Sequence, residues 1–145
     1  MSGYTLEQLV VGQCFDGASR TITDAEVSFL PLLMGASNPL FHDDVAATAS
    51  PLGRRVLYGP ALLGIAIALT EPLFHDTALG LLGLNEVRFR HGVGVGDTVT
   101  AQLEVAELRE RPGQLGGIAV LDDRLEDQRG VCALEFRRTI MIRHR

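Results

Sequence analysis

The chain has 145 residues, of which 46% are hydrophobic and 21% charged, with a formal net charge of −5. That make-up is expected of a single soluble domain over 1–145, and the acidic balance excludes generic nucleic-acid binding, which needs a basic face to meet phosphates. Cys14 and Cys132 have no CxxC spacing, and no HxxxH or HExxH run accompanies them, so no metal site is expected. The start, MSGYTLEQLVVGQ, lacks the basic-then-apolar pattern of a signal peptide. A reducing, cytoplasmic setting with both thiols free and no membrane contact follows as the expectation.

In chain order, 6–11 suggests a short helical turn or the lead into a strand, and 20–22 is strand-like. Thr23, Asp24, Ala25 and Glu26 form a capping box, followed by Val27, Leu30 and Met34 at helical spacing. Pro31 should kink or shorten that helix. The segment 35–39, GASNP, is a turn, and Asp43 and Asp44 open a short alanine-rich helix whose dipole their carboxylates match. Residues 50–55 read as a loop.

The stretch 59–71, GPALLGIAIALTE, organises the rest. Between 61 and 69 every residue is apolar or glycine, so a helix here has no polar face and must be enclosed. It is too short to span a bilayer. Gly59 is suited to cap it and Pro60 to its first position, with Pro72 and Phe74 marking its end. A buried helix whose amino end meets a polar loop offers unpaired N–H groups and partial positive charge, a place to hold a carbonyl oxygen.

Everything after that helix reads as β-structure. Residues 84–90 are a candidate strand and 91–97, HGVGVGD, a turn or bulged connection. In 98–108 Val99, Ala101, Leu103 and Val105 alternate with polar residues. Two further strands follow over 117–125 and 131–142, and in the last Cys132, Leu134, Phe136, Arg138, Ile140 and Ile142 share a face. An antiparallel sheet curled round one apolar helix is the α+β hot-dog architecture. Its open edge predicts a dimer formed by pairing across a two-fold axis.

With this outline, three segments resemble the MaoC-like family, which includes (R)-specific enoyl-CoA hydratases and related acyl-thioester dehydratases. Residues 35–43, GASNPLFHD, are similar to its G-D-x-N-P-x-H-x-D; Tyr58 and Gly59 to its H-G pair; and 93–99, VGVGDTV, to its P-V-x-x-G-D-T-L connection. The resemblance implies hydro-lyase chemistry at the β-carbon of an acyl-CoA or acyl-carrier-protein substrate. CoA or phosphopantetheine would enter as part of the substrate, with no separate cofactor. In the family an Asp and a His activate water while the helix-start Gly N–H holds the thioester oxygen. Here those positions fall on Ala36 and Phe41, neither of which moves a proton, and the His of the H-G pair is Tyr58; only the backbone donor of Gly59 is unaltered.

Several residues then compete for roles. His42, next to the lost His, is a general base if the loop brings it inward; adjacent to an inward Phe41, it should instead face solvent. Gly59 is the oxyanion donor or only a cap. Tyr58 bonds a carbonyl or anchors the loop. Asn38 forms the turn or orders the pocket mouth, while Ala36 and Phe41 line an apolar pocket. Arg54 and Arg55 meet a phosphate of the substrate carrier or lie in solvent. Asp43 and Asp44 are explained by capping, and neither Ser37 nor Cys14 has a base at motif spacing. Three readings stay open: a hydratase or dehydratase (with thioesterase and conjugate-addition siblings), a non-catalytic acyl-binding subunit paired with a dyad-bearing paralogue, and a ligand-binding homodimer without chemistry.

Overall fold

The computed structural model describes residues 2–145, and it bears out the hot-dog architecture. Five strands, β1 (Cys14–Thr21), β2 (Ala78–Phe89), β3 (Thr98–Arg109), β4 (Gly116–Glu126) and β5 (Cys132–Arg143), form one antiparallel sheet in the order β1-β3-β4-β5-β2. β1 and β2 are therefore its edges. Among the described residues no helix is long and apolar enough to cross a membrane.

The capping signals form as the sequence predicts. Helix α1 (Asp24–Leu33) starts with Thr23 Oγ1 accepting the Glu26 N–H at 3.3 Å and Glu26 Oε2 accepting the Thr23 N–H at 2.9 Å. Pro31 lies in its last turn, and the helix ends two residues later. Helix α2 (Asp44–Ala49) is capped by Asp43, whose Oδ1 accepts from the N–H groups of Val45 and Ala46. Helix α3 (Gly59–Ala68) begins one residue earlier than the capping pattern suggests: Tyr58 is the N-cap, Gly59 the first helical residue and Pro60 the second. A 3₁₀ turn, Glu71–Phe74, follows it and carries Pro72.

α3 is enclosed on one side only. Ala61, Leu62, Ile65, Ala66 and Leu69 are buried against Val99, Ala101, Leu125, Leu134 and Phe136 of the sheet. Each large side chain so buried stabilises the fold by about 1.5–3 kcal/mol. Leu63 and Ile67 are half-buried, and Gly64 and Ala68 are exposed, so the expected complete enclosure does not hold within one chain. This open stripe adjoins β2, where Leu81, Leu82 and Phe89 are also exposed.

A second apolar cluster, including Phe74, Leu103, Leu121, Ile140 and Ile142, fills the other half of the interior. Between the two lies a buried ion pair. Asp123 falls between Leu121 and Leu125 on the inward face of β4, and Arg138 between Phe136 and Ile140 on β5. Arg138 Nη2 and Nε donate to the Asp123 carboxylate at 2.8 and 3.1 Å. Burial pushes the Asp123 carboxyl up to about 7, against the pull of Arg138.

The packing generates two predictions. A Cβ on Gly116 would lie 2.3 Å from the Ile142 carbonyl oxygen, so Gly116→Ala should lower stability by about 1–3 kcal/mol in urea unfolding; an unchanged midpoint contradicts this close approach. Because the folded-state pKa of Asp123 lies above the roughly 3.9 of an unfolded Asp, its contribution is full at low pH and lost as pH rises from about 4 through 7. Unfolding free energy should fall across that window, with a shallower slope in Asp123→Asn.

Candidate functional site

The loop from α1 to α3 folds over the amino end of α3. Asn38 Oδ1 accepts the Leu40 N–H at 3.0 Å, capping a 3₁₀ turn, Pro39–Phe41, so its side chain serves the turn. That turn directs the half-buried Phe41 ring onto Tyr58, edge to face, with centroids 5.1 Å apart. Gly59 follows directly, and the Phe89 ring at the end of β2 stands 3.3 Å from where a Gly59 Cβ would be. Phe41, Tyr58 and Phe89 thus make an aromatic mouth at the head of α3. No acceptor among the described residues meets the Gly59 N–H, while the next carbonyl back, that of Tyr58, already accepts from Leu62 at 3.0 Å.

His42 is exposed, on the solvent side of the loop, and its Nε2 lies 2.7 Å from the Ala36 carbonyl oxygen. A carbonyl can only accept, so this contact assigns the proton to Nε2 and leaves Nδ1 as the basic nitrogen of the neutral ring. Ala36 is half-buried and its N–H bonds the Pro31 carbonyl at 2.8 Å. Ala36 and His42 are therefore brought together through the backbone, and Phe41, Tyr58 and Gly59 through their packing.

The two arginines brace the loop. Arg55 reaches Asp44 at 2.5 Å, Ser28 at 3.0 Å and Asp24 at 3.2 Å, joining α1 to α2. The hydrogen bond to Asp44 holds its guanidinium above the usual range. Arg54 pairs with Asp97 at 2.5 Å and keeps its side chain half exposed. Burial of Asp97 is outweighed by the Gly94 N–H, Gln128 and Arg54, so its carboxyl sits below the ordinary range.

Sequence reasoning missed Phe89, which is thirty residues from Gly59 in an edge strand; only the register of β2 brings it there. His91 opens the segment read as a turn or bulged connection. His91 is half-buried, its Nδ1 3.1 Å from the Gly92 carbonyl and its Nε2 3.5 Å from Asp127. The hydrogen bond from Arg129 and two backbone N–H groups lower the Asp127 carboxyl to about 2. A groove of about 670 Å³ crosses the outward face of the sheet, lined by charges such as Arg137 and Asp122, which pair with each other. It contains none of the residues at the α3 mouth.

The comparisons with known proteins agree with this geometry. The family model described as the MaoC like domain matches residues 8–120. No curated protein matches the sequence. Among solved structures, a monoamine oxidase regulatory protein from Archaeoglobus fulgidus is 23% identical, with a TM-score of 0.90 over 100% of this chain and 97% of that one. The (R)-hydratase from A. caviae involved in PHA biosynthesis is 30% identical, with a TM-score of 0.76 over 92% of this chain and 97% of that one. The HadBC (3R)-hydroxyacyl-ACP dehydratase complex of Mycobacterium tuberculosis is 17% identical, with a TM-score of 0.77 over 90% of this chain and 96% of that one. With its central helix and more than half its length matched by the family model, the chain belongs to the MaoC-like dehydratase family.

Proposed function

We propose that this chain binds acyl thioesters of CoA or a carrier protein and serves hydration or dehydration at their β-carbon as the binding half of a dimer, in the cytoplasm. A partner chain bearing the Asp and His would supply the proton transfers. One observation carries the reading: both proton-carrier positions are apolar, Ala36 and Phe41, while the Gly59 N–H is left without an acceptor. A free amide at a helix start stabilises the charge that develops on a thioester oxygen, which all chemistry at the β-carbon requires. Phe41, Tyr58 and Phe89 set apolar surface around it.

The open side of the molecule supports the dimer. An unpaired edge strand with exposed Leu81, Leu82 and Phe89, next to the uncovered stripe of Gly64 and Ala68 on α3, is a surface that a second chain would cover. The dehydratase complex among the similar structures consists of two kinds of chain. A homodimer would use the same surface twice.

A second reading is favoured by the His42 contact. With Nε2–H donated to the Ala36 carbonyl, Nδ1 is left to accept a proton, and the chain alone would then be a hydratase.

Hydration of crotonyl-CoA separates the two. The proposal predicts that the purified chain binds crotonyl-CoA in calorimetry without turning it over, and that a co-expressed dyad-bearing homologue restores turnover whether or not this chain carries His42→Ala. Turnover by the chain alone, abolished by His42→Ala, contradicts the proposal and establishes the second reading. Gly59→Pro removes the N–H at the first helical position. Gly59→Ala, which adds the same Cβ beside Phe89 but keeps the N–H, is the comparison that separates the donor from the added bulk. In an active pair the proline variant should lower turnover on the order of a hundredfold; undiminished activity would exclude Gly59 as the donor.

A further inference from the structure

His91, just past the end of β2, has an oxygen atom against each of its ring nitrogens. Nδ1 lies 3.1 Å from the Gly92 carbonyl oxygen, and Nε2 lies 3.5 Å from Asp127 Oδ2. Nε2 is buried and makes no hydrogen bond, and the Asp127 side chain is 1% exposed. The Asp127 carboxyl, lowered to about 2, is ionised near neutral pH. Both neighbours of the ring can therefore only accept. A neutral imidazole has one N–H to give, so either tautomer leaves a nitrogen lone pair facing an oxygen. The imidazolium has two, and it alone suits both neighbours.

The two residues belong to segments that are otherwise held separately. The Arg90 N–H bonds the Ala133 carbonyl at 2.7 Å, and the Val93 carbonyl accepts the Leu57 N–H at 2.7 Å, which fixes the backbone on either side of His91. Asp127 closes the turn between β4 and β5. Its N–H bonds the Val131 carbonyl, its carbonyl accepts from Gly130, and its Oδ1 accepts from the N–H groups of Arg129 and Val131. The 3.5 Å between Nε2 and Oδ2 is longer than the roughly 2.7–3.2 Å of an N–H···O hydrogen bond. Phe89 lies two residues before His91, and Leu57 two before Gly59, so the segment carrying His91 also carries one ring of the mouth and holds the backbone that leads to α3.

Arg129 is a cation on the same carboxylate, with Nε and Nη2 at 3.0 and 2.6 Å from Oδ2. Its charge opposes a second cation there, but its side chain is 66% exposed and screened by solvent. Neighbouring charges are matched: Arg54 with Asp97 in the connection to β3, and Arg124 with Glu126 on β4. Arg88 and Arg90 line the groove on the outward face of the sheet, where Arg90 pairs with Glu135. Burial raises the Cys132 thiol, which keeps it uncharged.

We propose that His91 and Asp127 form a proton-operated tie between the end of β2 and the β4–β5 turn, open while the imidazole is neutral and closed when it takes up a proton. Closing brings the Nε2–H onto Oδ2 as a charge-assisted bond and keeps the Nδ1–H on the Gly92 carbonyl. The tie stabilises the folded chain at acid pH, and that contribution is lost as pH rises through the imidazole's titration. It is independent of the reading of Gly59.

Nitrogen-resolved NMR of the His91 ring in the labelled full chain, followed between about pH 5 and pH 8, tests the tie. At the acid end both nitrogens should carry protons, with that on Nε2 downfield and slow to exchange, and Nε2 should lose its proton as pH rises. Asp127→Asn, which keeps the Oδ1 acceptor of the turn, should lower the midpoint by on the order of one pH unit. Arg129→Gln, at an exposed position, removes the competing cation and should raise it. A ring that stays neutral across the range, or an Nε2 proton in free exchange with water at the acid end, overturns the proposal. So does a midpoint unmoved in Asp127→Asn, or unmoved in Arg129→Gln where Asp127→Asn does not fold.

Discussion

The structure depends on the fact that α3 has no polar face. Its residues 61–69 include nothing that could bond water, so the helix persists only where other surfaces cover it, and the curvature of the five-stranded sheet is what brings Val99, Leu125, Leu134 and Phe136 onto it. The same requirement fixes the site. A helix held inside a sheet must present its first N–H groups somewhere near the interior, and the loop from α1 supplies aromatic rings around them instead of carbonyl partners. The uncovered stripe at Gly64 and Ala68 is the part of the constraint that one chain leaves unmet.

The second constraint is the ion pair between the two apolar clusters. Asp123 and Arg138 gain little net stability from each other once their desolvation is counted, and pairs like this are often replaceable by apolar side chains without loss. Removing one partner alone, by contrast, costs about 3–5 kcal/mol because the other is left charged and buried. An interior that keeps such a pair, with Arg138 bonded to Asp123 and Thr70, has a polar centre where packing alone would favour a leucine.

Much of this was legible in the sequence because it is local. The capping box at Thr23 and Glu26, the cap of α2 at Asp43, and the alternation of Val99 to Val105 all rest on neighbours within a few residues, and all form as read. Arg138 was placed on the inward face of β5 by the same alternation. The first half of β2 was not found: its sequence ALGLLG does not alternate, and bulges at Ala78/Gly80 and Leu81/Gly83 break its register with β5. The strand order, Phe89 over Gly59, the pairing of Arg138 with Asp123 and the grip of Arg55 on Asp24 and Asp44 all join residues distant in the chain, which periodicity cannot see. The site followed the same division. Loss of the proton carriers at Ala36 and Phe41 could be read from motif spacing, whereas the turn of His42 back onto the Ala36 carbonyl could not.

The central claim is that the amide of Gly59 receives the oxygen of a bound acyl thioester. The most direct measurement is the amide resonance of Gly59 in the heteronuclear NMR spectrum of the isotope-labelled chain during titration with crotonyl-CoA. The account predicts a saturable downfield shift of that proton, as a new hydrogen bond forms, larger than the shifts of amides elsewhere in α3. Saturable binding that leaves the Gly59 resonance unmoved would contradict it.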